Sequence, residues 1–217
     1  MDLRGDARDT VGMHRFAVVI VAAIACLALP AAASAQGSLN ASQFTGMDRV
    51  YVAFAAFDDA DGATPADRRA ARAACTALGS ADAMLAALRR SCGGQLDVGQ
   101  ALGITARCKA RTSCLAGTRL VQRALRTFIA QRRAVNRAVI AAGLGAACTR
   151  ELRTDMKALL YFTRLRSGFA QLERALRTRS VALADRAQRR IDALREPDTR
   201  SVAQSGEDFR AACAPPS

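Results

Sequence analysis

The side chains best able to do chemistry here are seven cysteines and one histidine, and their placement removes most of what they could do. Cys75, Cys92, Cys108, Cys114, Cys148 and Cys213 lie in the body of the chain, whereas Cys26 sits in an apolar run near its start. Six cysteines in an exported chain read as three disulfides, which can be drawn in fifteen ways. No C-x-x-C occurs, which speaks against a thioredoxin-like redox pair and against the common zinc spacings. His14 is the only histidine, and it lies upstream of the expected processing site. Without imidazole, Ser-His-Asp and Cys-His catalysis, histidine-held zinc or haem and a histidine pH switch all drop out.

Carboxylates remain. A pair of them could run glycoside hydrolysis, but the acids fall in linkers, caps and arginine-rich faces, and no phosphate-binding glycine loop or G-x-S-x-G elbow stands out. Asp59-Ala60-Asp61-Gly62 imitates the middle of an EF-hand loop. Its first position would be Phe57 and its twelfth Arg68, where calcium needs Asp and Glu, so it reads as an acidic turn. Asn40-Ala41-Ser42 is a formal glycosylation sequon in what should be a flexible lead-in. The expectation is a protein without catalytic residues, metal or cofactor.

Two kinds of element must position whatever remains. The first is an export signal over residues 1–35. Phe16 to Leu29 is uncharged and apolar, shorter than the roughly 20 residues that span a bilayer. Pro30 breaks the run, and Ala33-Ser34-Ala35 offers the small residues a signal peptidase needs before Gln36. Asp2, Asp6 and Asp9 sit badly in a leader that should be positive, so the true start is expected at Met13. Ala23-Ile24-Ala25-Cys26 is a weak lipoprotein box, the lesser alternative, which would anchor the chain at Cys26. The chain is therefore expected to be secreted or held in the cell envelope.

The second kind is helix. Residues 36–44 should be a flexible N-terminus, 45–213 a single helical domain and 214–217 a tail. Capping boxes at Thr45-Gly46-Met47-Asp48 and Thr64-Pro65-Ala66-Asp67 open two helices, ending near Asp58 and Leu78. Ser80 should cap a third that stops before Cys92-Gly93-Gly94, and residues 93–112 read equally well as a short helix or a cross-linked loop. A long helix follows over 115–142, with Val121, Leu125, Phe128, Val135 and Val139 on one side. Thr149 and Glu151 should start another, whose Phe162, Leu165, Phe169, Leu172 and Leu176 alternate spacings of three and four. A turn at Arg177-Thr178-Arg179-Ser180 should reverse the chain into Leu183–Leu194, and a last short helix should carry Val202 and Phe209. The predicted fold is all-α, an up-and-down helical bundle with a long helical hairpin, stapled by disulfides. In that order of helices Cys75 and Cys148 sit at one end and the other four at the opposite end. The expected pairs are then Cys75–Cys148, Cys108–Cys114 and Cys92–Cys213.

Charge supplies the functional hint. The chain carries +13, arginine outnumbers lysine 30 to 2, and no Asp or Glu occurs between Val98 and Arg150. On the long helix Arg119, Arg123, Arg126, Arg133 and Arg137 share one side, opposite the apolar positions; Arg132 intrudes on the apolar side and must snorkel, pair or mark a contact. The plain explanation is a solvated face, or one neutralised by Asp155, Glu173, Asp185 or Asp192 on other helices. The functional explanation is anion binding by those five arginines. Export would limit the partner to an anionic envelope polymer or a lipid surface, or to extracellular DNA held by charge alone. Aromatic interleaving is missing, which argues against sequence-specific nucleic-acid recognition. The leading expectation is a non-enzymatic binding or structural module with a basic surface. The rivals are a protein–protein module docking through the 150–195 hairpin and, third, a carboxylate enzyme.

Overall fold

The computed structural model describes residues 37–58, 64–80, 82–195, 197 and 200–215. The expected export segment and the Asp59–Gly62 turn lie outside them. Eight helices occupy the described residues: α1 (Ala41–Asp58), α2 (Pro65–Ala77), α3 (Ala83–Ala106), α4 (Arg111–Ala141), α5 (Ala146–Leu152), α6 (Met156–Thr178), α7 (Val181–Asp192) and α8 (Val202–Cys213). The protein is an all-α bundle held by three disulfides.

Local chemistry sets most of the helix starts. Thr64 accepts a bond from Asp67 N while Asp67 Oδ2 accepts one from Thr64 N, the capping box read from the sequence, with Pro65 at the first helical position. Ser180 accepts from Leu183 N and starts α7 after Arg179, which takes a left-handed φ of 54°. The expected turn at 177–180 is therefore present. The Thr45 box is not used. Asn40 and Gln43 cap each other reciprocally at 2.9 Å, so α1 starts at Ala41. Nor are residues 37–44 a loose lead-in. Leu39 is buried, and Gly37 exchanges backbone bonds with Gly143 and Gly145 at 3.0 Å, because the apolar Leu39 side chain finds a place in the core.

Three further expectations about the helices need correction. Asp82, not Ser80, caps α3, accepting from Leu85 N at 2.9 Å. The Cys92-Gly93-Gly94 stop does not exist, and α3 runs through it to Ala106. Gly94 leaves room for the Gln131 side-chain amide of α4: a Cβ there would lie 1.9 Å from its Oε1. The helix expected from Thr149 through Arg177 is split into α5 and α6, because Asn136 grips the Thr154 backbone at both its N–H and its carbonyl, at 2.8 and 2.7 Å. Asp155 then caps α6 afresh.

The pairings Cys75–Cys148 and Cys92–Cys213 are also overturned, and only Cys108–Cys114 stands. The bonds are Cys75–Cys92, Cys108–Cys114 and Cys148–Cys213, with Cα separations of 5.6, 5.1 and 4.7 Å. With α3 continuous, Cys92 lies inside it, level with Cys75 across the α2–α3 hairpin. Cys148 on α5 is then left to the last residue of α8, which packs on it.

α3 and α4 form an antiparallel spine with a core at each end. The first core gathers α1, α2 and α8 around the start of α3 and the end of α4, including Leu39, Phe54, Met84, Val139, Leu152 and Phe209. The second is built by the other halves of α3 and α4 with α6 and α7, through Val98, Leu125, Phe128, Phe162, Leu165 and Ile191. Gly168 lets α7 lie close on α6: a Cβ there would fall 2.6 Å from Ile191 Cγ1.

Candidate functional site

α4 is the element that presents the basic face. Val121, Leu125, Phe128, Val135 and Val139 are at most 1% exposed, pinned between α3, α6 and α5. Helical geometry then turns the opposite side outward. Arg119, Arg123, Arg126, Arg133 and Arg137 are all exposed, along about 27 Å at 1.5 Å per residue. The structure brings all five to one surface.

The carboxylates that could neutralise the face do so only at one end. Glu173 on α6 accepts from Arg119 Nε at 2.9 Å, from Arg177 at 2.6 Å and from Gln122 at 2.8 Å. Those bonds, the one from Arg119 foremost, hold its carboxyl down to about 2. Asp155 is occupied as the α6 cap, and Asp192 accepts from Gln188. Asp185 is exposed on α7 and makes no ion pair among the described residues. Arg123, Arg126, Arg133 and Arg137 are likewise without an ion pair among the described residues.

Arg132 belongs elsewhere. Its Cζ stands 5.9 Å from the Phe128 ring centroid, and its Nε is buried with no hydrogen-bond partner among the described residues. Burial lowers this guanidinium to about 10 and pushes the Tyr51 phenol up to about 12. Both line a cavity of about 60 Å³ in the first core, together with Gln95 and Leu152. Of the three fates open to the intruding arginine, it has the contact with an aromatic ring.

A second basic cluster was not foreseen. Arg72, Arg89 and Arg90 line a polar cleft of about 230 Å³ with Gly94 and Gln131. Arg72 is paired with Asp97 at 2.7 Å. The Arg89-Arg90 doublet was visible in the sequence, but ending the helix at Cys92 hid that α2 and α3 bring it beside Arg72.

Among the described residues no helix is long and apolar enough to cross a membrane. Three disulfides place the chain in an oxidising compartment. The chain matches no known protein family, and it has no significant similarity to a characterised protein or to a solved structure.

Proposed function

We propose that this is an exported, non-enzymatic module that holds anionic polymer or lipid headgroups of the cell envelope against the outer face of α4. One observation carries the reading: Arg123, Arg126, Arg133 and Arg137 stand exposed on one helix side and make no ion pair among the described residues. Like charges one turn apart repel by a few tenths of a kcal/mol per pair. An anionic surface would relieve that repulsion and gain about 1 kcal/mol for each arginine it meets. Arginine suits the task, since its fork engages phosphate or carboxylate through two parallel bonds. Export by a cleaved signal ending at Ala35 supplies the setting, and the disulfides are consistent with it.

The second reading, a partner docked on the 150–195 hairpin, has less surface to use. Phe162, Leu165 and Phe169 are consumed in the second core, which leaves a cleft there in place of a continuous apolar strip. Sedimentation with vesicles separates the two. The protein should pellet with phosphatidylglycerol vesicles and stay in solution with phosphatidylcholine. Replacing Arg123, Arg126, Arg133 and Arg137 by Gln should abolish pelleting while leaving the circular dichroism unchanged. Equal pelleting by that variant would remove the reading.

A further inference from the structure

The end of the bundle away from α1 and α8 holds a cleft of about 220 Å³ between the α3–α4 connection and the α6–α7 hairpin. Its walls are carbon: Leu102, Leu165, Phe169, Leu172, Leu176 and Ile191, closed on one side by the Cys108–Cys114 disulfide. The polar side chains among the lining residues already have hydrogen-bond partners in the protein. Thr105 donates to Ala101 O, Thr118 to Leu115 O, and the Gln188 amide to Asp192, at 2.8, 2.9 and 2.8 Å. A cavity of 150 Å³ with such walls already takes a benzene-sized molecule, so this one accommodates more hydrocarbon than that.

The rim has the opposite character. Arg111 Nη1 donates to Leu176 O at 3.2 Å, which ties the start of α4 to the cleft edge. Arg107, Lys109, Arg177 and Arg179 flank the lining residues Cys108 and Leu176 in the chain, and all four are exposed. The positive end of the 31-residue α4 lies at the same edge, with no acid in its first turn. Of the acids on the two flanking helices, Glu173 is engaged by Arg119 and Arg177, and Asp192 by Gln188. Asp185 on α7 makes no ion pair among the described residues and is outnumbered by the cations of the rim.

Hydrocarbon walls below a cationic rim fit one chemistry. We infer that the cleft binds a single-chain fatty carboxylate, its acyl chain among Leu165, Phe169, Leu172 and Ile191 and its carboxylate beside Arg111 at the start of α4. A protein side chain or a whole bilayer is less well matched. The opening is a bounded cleft, and the cationic rim calls for a charge attached to the buried chain. This extends the anion-binding reading to a second site made of different residues, so the two stand or fall separately.

The test is methyl NMR and calorimetric titration of the oxidised full-length mature protein with acetate, hexanoate, octanoate and decanoate below their aggregation concentrations, and with 1-decanol. Ile191 and Leu172 methyls should shift while Val139 and Val202, in the first core, stay still. Acetate should not bind, and each added methylene should tighten binding about fourfold until the cleft is full. Decanol should bind more weakly than decanoate. Ala106→Trp, placed at an exposed lining position, should block the titration, and Lys109→Gln with Arg111→Gln should reduce decanoate affinity towards that of decanol. The four-arginine α4 variant should bind decanoate as the wild type does. Ile191 and Leu172 methyls unmoved by decanoate, affinity independent of chain length, or capture of vesicles but not of monomeric decanoate would each overturn the inference. Loss of decanoate binding in the α4 variant would instead merge the two sites and contradict their independence.

Discussion

The two ends of the α3–α4 spine are built from different kinds of chain. The first core joins segments far apart in sequence, α1 and the start of α3 with α5 and α8, and both long-range closures depend on side chains brought from afar. Cys148–Cys213 spans 65 residues there, and Arg210 reaches Asp48 at 2.6 Å. The second core is made of two hairpins of neighbouring helices, α3 with α4 and α6 with α7, docked on each other through α4 and α6. Its one disulfide closes a separation of only 6 residues. Distant segments lose more chain entropy on meeting, so a cross-link there removes more of the unfolded ensemble. The region with the difficult topology carries the long staple, and the local region carries the cleft and the larger share of the basic face.

That contrast can be broken most severely at the long staple. Replacing Cys148 and Cys213 by Ser should destabilise the fold by about 4 kcal/mol in the loop-entropy model, against about 2 kcal/mol for the Cys108–Cys114 pair. Denaturant titration measures both. Hydrogen exchange on the first variant should show α1 and α8 opening before α6 and α7. Simultaneous loss of protection at both ends would mean that the cores are a single cooperative unit.

The local core should respond instead to packing. Gly168→Ala pushes a methyl to 2.6 Å from Ile191 Cγ1 and should lose about 1–3 kcal/mol. By contrast Gly93→Ala, beside Cys92 on the first core's half of α3, meets nothing within 4 Å and should gain up to about 1 kcal/mol. Thermal melts of the pair test whether the two glycines, alike in the sequence, do different work.

The Gly93-Gly94 pair also shows what local sequence does not determine. A capping box or an apolar repeat is a local signal, so Thr64, Ser180 and the buried side of α4 were all legible. A glycine pair weakens a helix by only about 1 kcal/mol per residue. Whether it ends the helix or admits a neighbour depends on what packs there, and Gln131 lies 37 residues from Gly94. The break before α6 was hidden for the same reason, since Asn136 makes it from another helix. Outward exposure of the five α4 arginines followed from helical period alone. The arginine cleft at Arg72, the Arg132 contact and the carbon-walled cleft needed the assembled helices.

A smaller effect separates the paired end of the basic face from its open end. Glu173 has its carboxyl lowered from an ordinary 4.5 to about 2, so the folded state favours its ionised form. Its contribution is present above the unfolded value and fades as pH falls from about 4.5 towards 2. Glu173→Gln should therefore flatten part of the acid-side decline in stability, a modest change because the arginines bonded to it are exposed. Urea midpoints across that pH range, compared with wild type, measure it. An unchanged acid limb would mean that the Arg119–Glu173–Arg177 cluster does not persist in solution.

If the open part of the α4 face meets an anion through its charge, as proposed, binding must depend on salt. Association of the mature protein with phosphatidylglycerol vesicles should weaken steadily as sodium chloride rises. The slope of log affinity against log salt should become markedly shallower when Arg123, Arg126, Arg133 and Arg137 are replaced by Gln. The same slope in wild type and variant would contradict the account, because the charge that does the binding would then lie somewhere else on the molecule.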